Sequence, residues 1–147
     1  MKTIALRFGE HFAPNCGTIT AHQALIDKTG YVWYGKMGAP VANSVINDLK
    51  EQETIKILLV NSGKFDRYWA YVDEIKKEIP ELDCIPEYYR GLVDKFKTWF
   101  RITKFEPAPK DIMSKCHVIS SGKTLGEVSK HSMNPYFIIN YEDKKTE

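Results

Sequence analysis

Two runs of β-branched and aromatic residues, separated by a short turn, restrict the fold most strongly. The run TIKILLV, residues 54–60, is apolar enough for a central strand. After the turn NSGKFD, the run RYWAYVDEI, residues 67–75, has the composition of a second strand. Neighbouring strands joined by so short a turn pair antiparallel. The chain is therefore predicted to form a mixed or antiparallel curled sheet rather than a doubly wound parallel one.

The remaining patterns predict one compact α+β unit around this pair of strands. A capping-box spacing from Thr20 to Gln23 and a stop at Gly30 predict a helix near 20–28. We expect a mixed, partly open β-barrel with two or three short helices, a single domain over 1–141 and a frayed tail at 142–147. Further strands are predicted at 3–8, 31–35, 98–105, 116–120 and 135–141, further helices at 41–52 and 123–130, and irregular structure over 76–89.

Composition excludes some classes of protein and leaves others open. The chain has 147 residues, of which 43% are hydrophobic and 12% aromatic, and a formal net charge of +2. This small charge means that any phosphate contact must come from a local basic patch. Three cysteines with no paired spacing indicate a reducing compartment, and neither a signal peptide nor a membrane span is predicted. We therefore expect a cytoplasmic protein without a membrane partner.

Two Ser-Gly-Lys sequences resemble the end of a phosphate-binding loop, at 120–124 and 61–65. The common phosphate loop needs a glycine five residues before its Gly-Lys pair. His117 and Leu58 stand at these positions, so neither sequence is predicted to be such a loop.

Metal and catalytic sites have no clear signature. His11, Cys16 and His22 lie close in sequence, but they lack the paired spacing of zinc ligands. Asp73 and Glu74 alternate on a strand, so only one of them can face a given pocket. We expect no cofactor. A Cys–His nucleophile assembled in space remains open.

Aromatic residues beside cations are the most suggestive combination in the chain. Alternation places Trp33 and Tyr34 on opposite faces of one strand, which predicts that some rings leave the interior of a small barrel. Flat rings stack on nucleobases, and neighbouring cations neutralise phosphates. The expected base pocket comprises Trp33, Tyr34, Asn61, Ser62, Trp69 and Trp99, and the expected phosphate contacts are Lys36, Lys64, Arg67 and Arg101.

Residues 31–75 resemble the central part of the YTH and EVE domains of the PUA-like group, which also includes ASCH domains. The resemblance rests on Gly30, the Val32-Trp33 pair, the helix after Pro40, and the run ILLV followed by NSGKF and YWAYV. It implies a PUA-like, partly open barrel with a nucleobase pocket. Trp33 would form one wall, Asn61 and Ser62 would lie near the mouth, and Trp69 or Trp99 would add another wall.

The sequence therefore predicts a non-catalytic module that recognises a modified nucleobase in RNA or DNA. Two alternatives remain open. One is a small enzyme that acts on a nucleotide or another small molecule in the same cleft. The other is a protein-interaction domain with exposed aromatic residues, because Tyr, Trp and Arg are frequent interface anchors. The sequence does not define an oligomeric state.

Overall fold

The computed structural model describes residues 1–61, 66–132, 134 and 136–141. Within these residues it contains seven β-strands, four α-helices and three single-turn 3₁₀ helices. The elements are β1 (Lys2–Phe8), α1 (Thr18–Thr29), β2 (Val32–Met37), α2 (Asn43–Lys50), β3 (Ile55–Asn61), β4 (Arg67–Lys76), the 3₁₀ turns Leu82–Cys84, Glu87–Tyr89 and Val93–Lys95, β5 (Phe96–Pro107), α3 (Ile112–Lys115), β6 (Cys116–Val118), α4 (Leu125–His131) and β7 (Tyr136–Tyr141).

One mixed sheet contains all seven strands in the order β2-β5-β4-β3-β1-β7-β6. β1 pairs with β3 in parallel, and the other pairs are antiparallel, including the predicted pair β3 and β4. In a flat sheet, β2 and β7 would be about 24 Å apart at the usual strand spacing. Instead the Lys36 Nζ of β2 lies 5.2 Å from the centre of the Tyr136 ring of β7. The sheet is therefore strongly curled.

The barrel remains partly open, as predicted. Among the described residues, the edge strands β2 and β6 pair only with β5 and β7 respectively. The fold class is therefore confirmed as a mixed α+β sheet curled into an incomplete barrel.

Both faces of the curled sheet are covered by other elements. One face carries a large apolar cluster that includes Leu6, Tyr34 and Phe100 and is covered by α1 and α2. The opposite face carries two smaller clusters. One lies under α3 and α4 and contains Trp69, and the other lies under the 3₁₀ turns and contains Trp33. Rings on opposite sides of one strand are therefore both buried, and the expectation that the surplus rings leave the interior does not hold for the tryptophans.

Local differences from the sequence prediction lie mainly between the long strands. Gly30 ends α1 in the left-handed conformation, with φ of 93°, as predicted from its position. The segment expected to be irregular over 76–89 begins as the end of β4 and continues as 3₁₀ turns. α3 is a single helical turn that follows Pro107 and Pro109, in a part of the chain for which no helix or strand was predicted. The tail 142–147 lies outside the described residues.

Candidate nucleic-acid interface

A cavity of about 290 Å³ lies where the ends of β1 and β2 meet the 3₁₀ segment before β5. We call it the aromatic cavity, because six of its lining residues are Phe8, Phe12, Tyr34, Tyr88, Tyr89 and Phe96. Lys36, Arg7, His11 and Thr18 also contribute to its lining. Flat apolar walls with a few polar groups are typical of small-ligand sites.

Strand β2 brings Tyr34 and Lys36 to this cavity because of its alternation. Tyr34 and Lys36 are two residues apart and therefore lie on the same face of the strand. Between them, Gly35 opposes Trp99 on β5. A Cβ atom at Gly35 would lie 2.5 Å from Cγ of Phe96, so only glycine permits this close approach. The ring of Phe96 can therefore form part of the cavity wall.

Lys36 is a buried cation at the cavity. Its side chain is only 5% exposed, and Nζ donates to the carbonyl oxygens of Ala39 at 2.6 Å and Met37 at 3.2 Å. Among the described residues, no carboxylate lies within ion-pair distance of this ammonium group. Burial lowers the pKa of Lys36 because desolvation disfavours its charged form.

Tyr34 forms the wall between the cavity and a buried histidine. Burial raises the pKa of Tyr34 well above its ordinary value, and Tyr88 and Glu10 add to the effect. The ring of His22 lies 5.3 Å from that of Tyr34 and 5.1 Å from that of Tyr89. His22 therefore packs against two rings of the cavity wall without lining the cavity itself.

His22 is neutral in this environment. Burial lowers the pKa of His22 to about 4, although a hydrogen bond with Thr18 opposes the shift. Nδ1 lies 2.8 Å from the carbonyl oxygen of Thr18, so Nδ1 carries the proton and Nε2 is left as an acceptor. Nε2 has no hydrogen-bond partner within the described part of the chain.

The loop after β1 closes one side of the aromatic cavity. Glu10 Oε1 accepts hydrogen bonds from the Thr18 backbone nitrogen at 3.1 Å and from Thr18 Oγ1 at 2.5 Å. These bonds hold the loop against the start of α1. Phe12, at the tip of this loop, is 48% exposed while lining the cavity. It therefore forms a rim.

A second, wider depression of about 920 Å³ lies next to the cavity, and we call it the basic groove. Its lining includes the cations Arg7, Arg67, Lys110 and Lys130, with His131 and Asn61, against the two carboxylates Asp111 and Glu127. Lys115 lies 3.4 Å from Asp111 and offsets part of this negative charge. The groove is therefore positively charged overall.

Arg7 connects the two sites, since it lines both the aromatic cavity and the basic groove. Its Nη2 donates to the carbonyl oxygens of Ser129 at 2.7 Å and Ser132 at 2.6 Å, and its Nε donates to that of Asn134 at 3.1 Å. These carbonyls lie at the end of α4 and just beyond it, where a cation is favourable.

The structure distributes the sequence-predicted residues over several places. Tyr34 and Lys36 meet at the aromatic cavity, and Asn61 and Arg67 meet at the basic groove. Ser62 and Lys64 lie outside the described residues.

The three tryptophans lie in the interior and line neither depression. Trp33 and Trp99 pack together under the 3₁₀ turns, and Trp69 packs against Tyr141 in a different cluster, with ring centres 5.0 Å apart. Trp33 also donates from Nε1 to Glu81 at 2.7 Å.

Arg101 lies on the face of Trp33, away from the aromatic cavity. Its Nε and Nη2 donate to both carboxylate oxygens of Asp73, at 2.7 Å and 3.2 Å, and Glu74 lies 3.6 Å from Nη1. Its charge is therefore already neutralised by neighbouring carboxylates.

Several site residues were not predicted from the sequence. Phe12 comes from a loop and Tyr88 and Tyr89 come from a 3₁₀ turn, whose patterns carry no periodicity, and Phe96 is the first residue of β5. Tyr88 and Tyr89 were the one available signal of the cavity wall, because two large aromatic side chains in an irregular segment must pack against another part of the protein. Lys110 and Lys130 are ordinary surface lysines in the sequence and converge only in the fold.

Neither a metal site nor a membrane span finds support in the described residues. No group of three or more His, Cys, Asp or Glu side chains there could hold a metal ion. No helix among them is both long and apolar enough to cross a bilayer.

A model of the Pua-like family matches residues 4–136. The chain therefore belongs to the PUA-like family, in agreement with its partly open barrel. No curated protein and no solved structure matches the chain significantly.

Proposed function

We propose that this protein is a non-catalytic nucleic-acid-binding module that holds one nucleobase in the aromatic cavity and phosphates along the basic groove. The observation that carries the proposal is the junction of these two depressions at Arg7. Membership of the PUA-like family supports it, since PUA-like domains typically bind nucleic acids.

The size and lining of the aromatic cavity favour a single flat ligand. Its volume of about 290 Å³ is at the lower limit of the roughly 300–1,000 Å³ typical of ligand pockets. Stacking on an aromatic ring contributes about 1–3 kcal/mol per base and tolerates every base. The exposed ring of Phe12 at the rim and the partly buried ring of Tyr88 are available for such stacking.

The basic groove favours the phosphate backbone of the same strand. Four cations against two carboxylates give it a positive charge although the whole chain carries only +2. A base can enter a closed cavity only from a single strand or after it has left the stack of a duplex. We therefore expect single strands to bind more tightly than the corresponding duplexes.

The resemblance to YTH and EVE domains extends the proposal to modified bases, in RNA or in DNA. Matched single strands with one methylated or one unmodified central base test this extension. A preference for the modified strand supports it, and equal affinity contradicts it.

A pair of exposed apolar residues allows a direct test of stacking. Phe12 is 48% exposed at the cavity rim, and Ile119 is 49% exposed outside both depressions. Phe12→Ala is expected to weaken binding of a single-stranded oligonucleotide about tenfold, as expected for the loss of one stacking ring. Ile119→Ala is the matched control and leaves affinity unchanged.

The same titration separates the proposal from a protein-interaction domain. A nucleic-acid-binding module loses affinity for a single-stranded oligonucleotide steeply between about 50 and 200 mM salt. A protein-interaction domain would show no such binding. Equal effects of Phe12→Ala and Ile119→Ala, or binding that is insensitive to salt, contradict the proposal.

A further inference from the structure

Lys36 has an incomplete set of hydrogen bonds at the aromatic cavity. An ammonium group has three N–H donors. Two donate to the carbonyl oxygens of Ala39 and Met37, and the Tyr136 ring lies 5.2 Å from Nζ. Within the described ranges no third acceptor and no carboxylate binds this group, although its side chain is only 5% exposed. A buried cation in this state is stabilised by a further acceptor.

Tyr34 supplies a second polar group on the same face of β2. Its ring is 4% exposed and lines the cavity. Its hydroxyl forms no hydrogen bond with other described residues, and burial keeps its pKa high, so that it stays protonated at neutral pH. A phenol can donate one hydrogen bond and accept another. The cavity thus combines a group that only donates with a group that does both.

We propose, on the basis of the proposed function, that Lys36 and Tyr34 select a base that has a keto oxygen beside a ring N–H. Guanine, hypoxanthine, uracil and thymine share this edge. Lys36 donates to the keto oxygen, and the Tyr34 hydroxyl accepts from the ring N–H. Both groups that already bind the Lys36 ammonium are carbonyl oxygens, and the base supplies a third.

Adenine and cytosine are disfavoured by the same geometry. Each has an exocyclic amino group at the position of the keto oxygen, so that two donors would meet at Lys36. A ring nitrogen could reach Lys36 only if the base shifted within the cavity, and the walls formed by Tyr89 and Phe96 oppose such a shift. The exocyclic group therefore determines the selectivity.

Single strands that differ only in one central base test this selectivity. Inosine and adenosine are the sharpest pair, because they differ only at this edge: inosine has a keto oxygen beside a ring N–H, and adenosine has an amino group beside a ring nitrogen without hydrogen. We expect the wild-type protein to bind the inosine strand about tenfold more tightly than the adenosine strand. Lys36→Met should reduce this ratio to about twofold or less, and Lys36→Arg, which keeps a donor, should retain a preference for inosine.

A second variant keeps the test decisive if Lys36→Met fails to fold. Tyr34→Phe removes only the hydroxyl. The wild-type protein should prefer uridine to 3-methyluridine, which lacks the ring N–H, and Tyr34→Phe should bind the two equally. A mere loss of stability would not remove a difference between two ligands.

The outcomes distinguish this inference from the function on which it rests. Equal affinity for oligonucleotides with different central bases overturns the inference and leaves the proposed nucleic-acid binding intact. Displacement of free inosine, which carries no phosphate, by millimolar inorganic phosphate at constant ionic strength also overturns it, because the cavity then takes anions. If no strand binds, both proposals fail.

Discussion

At the residue scale, the tryptophans show what sequence alternation can and cannot predict. Alternation correctly separated Trp33 from Tyr34, since they lie in clusters on opposite faces of the sheet. It could not show that both faces are covered, because the covering segments are 3₁₀ turns without a periodic pattern. The cavity wall consequently comes from tyrosine and phenylalanine rings.

Trp33→Ala is predicted to destabilise the fold. Trp33 is 1% exposed and donates to Glu81, and truncating a buried tryptophan costs about 3–5 kcal/mol. Denaturant unfolding measures the loss, with Phe12→Ala as the control at an exposed ring. A Trp33→Ala variant of normal stability that fails to bind nucleosides would instead identify Trp33 as a pocket wall, as the sequence resemblance implied.

His22 is predicted to make stability depend on pH. Its folded pKa of about 4 lies below the ordinary 6.5, so the unfolded chain binds its proton first. The contribution is complete above pH 6.5 and falls as the pH decreases toward 4, by about 3 kcal/mol in total.

Unfolding free energies measured between pH 7 and 5 test this assignment. His22→Phe should flatten the dependence in this range, whereas His117→Ala, at an exposed histidine, should leave it unchanged. An unaltered pH dependence in His22→Phe would contradict the assignment.

Gly35→Ala is predicted to disturb the cavity wall through Phe96. A Cβ atom there would lie 2.5 Å from Cγ of Phe96, and such overpacking costs about 1–3 kcal/mol. Gly91→Ala is the matched control, because nothing lies within 4 Å of its added Cβ. Thermal unfolding of both variants measures the difference. Equal stability would show that Phe96 can move away without cost.

At the element scale, strands with strong composition were predictable and the segments between them were not. β3, β4 and β5 carry long apolar or alternating runs, and all three lie close to their predicted positions. The single turn α3 and the turns before β5 are too short to leave a periodic signal. The aromatic cavity is built largely from such segments, so sequence patterns predicted its β2 contribution, Tyr34 and Lys36, and missed its other walls.

The basic groove is predicted to set the salt dependence of oligonucleotide binding. Lys110→Ala and Lys130→Ala should each weaken binding of all sequences alike and reduce the salt slope by about 1, as for a lost phosphate contact. Lys50→Ala, at the end of α2, is the matched control on an exposed helix. Titrations at several salt concentrations give the slopes. Identical slopes in all three variants would place the phosphates elsewhere.

At the scale of the whole molecule, the curl of the sheet creates the site. It brings edge strand β2 next to β1 and β7. Lys36 of β2 consequently approaches Tyr136 of β7, and the cavity forms between the ends of β1 and β2. The sequence predicted an incomplete barrel and resembled the right family, but the meeting of distant strands depends on accumulated twist, which no local pattern reports. The basic groove beside it likewise joins residues from both ends of the chain.

Chemical-shift mapping of the protein with a short single-stranded oligonucleotide tests the central claim most directly. We predict that the largest amide shifts occur at Gly35, Lys36 and Tyr89 around the aromatic cavity, with smaller shifts at Lys110 and Lys130 along the basic groove. Shifts concentrated around Trp33 and Arg101, or no shifts at saturating oligonucleotide, would contradict it.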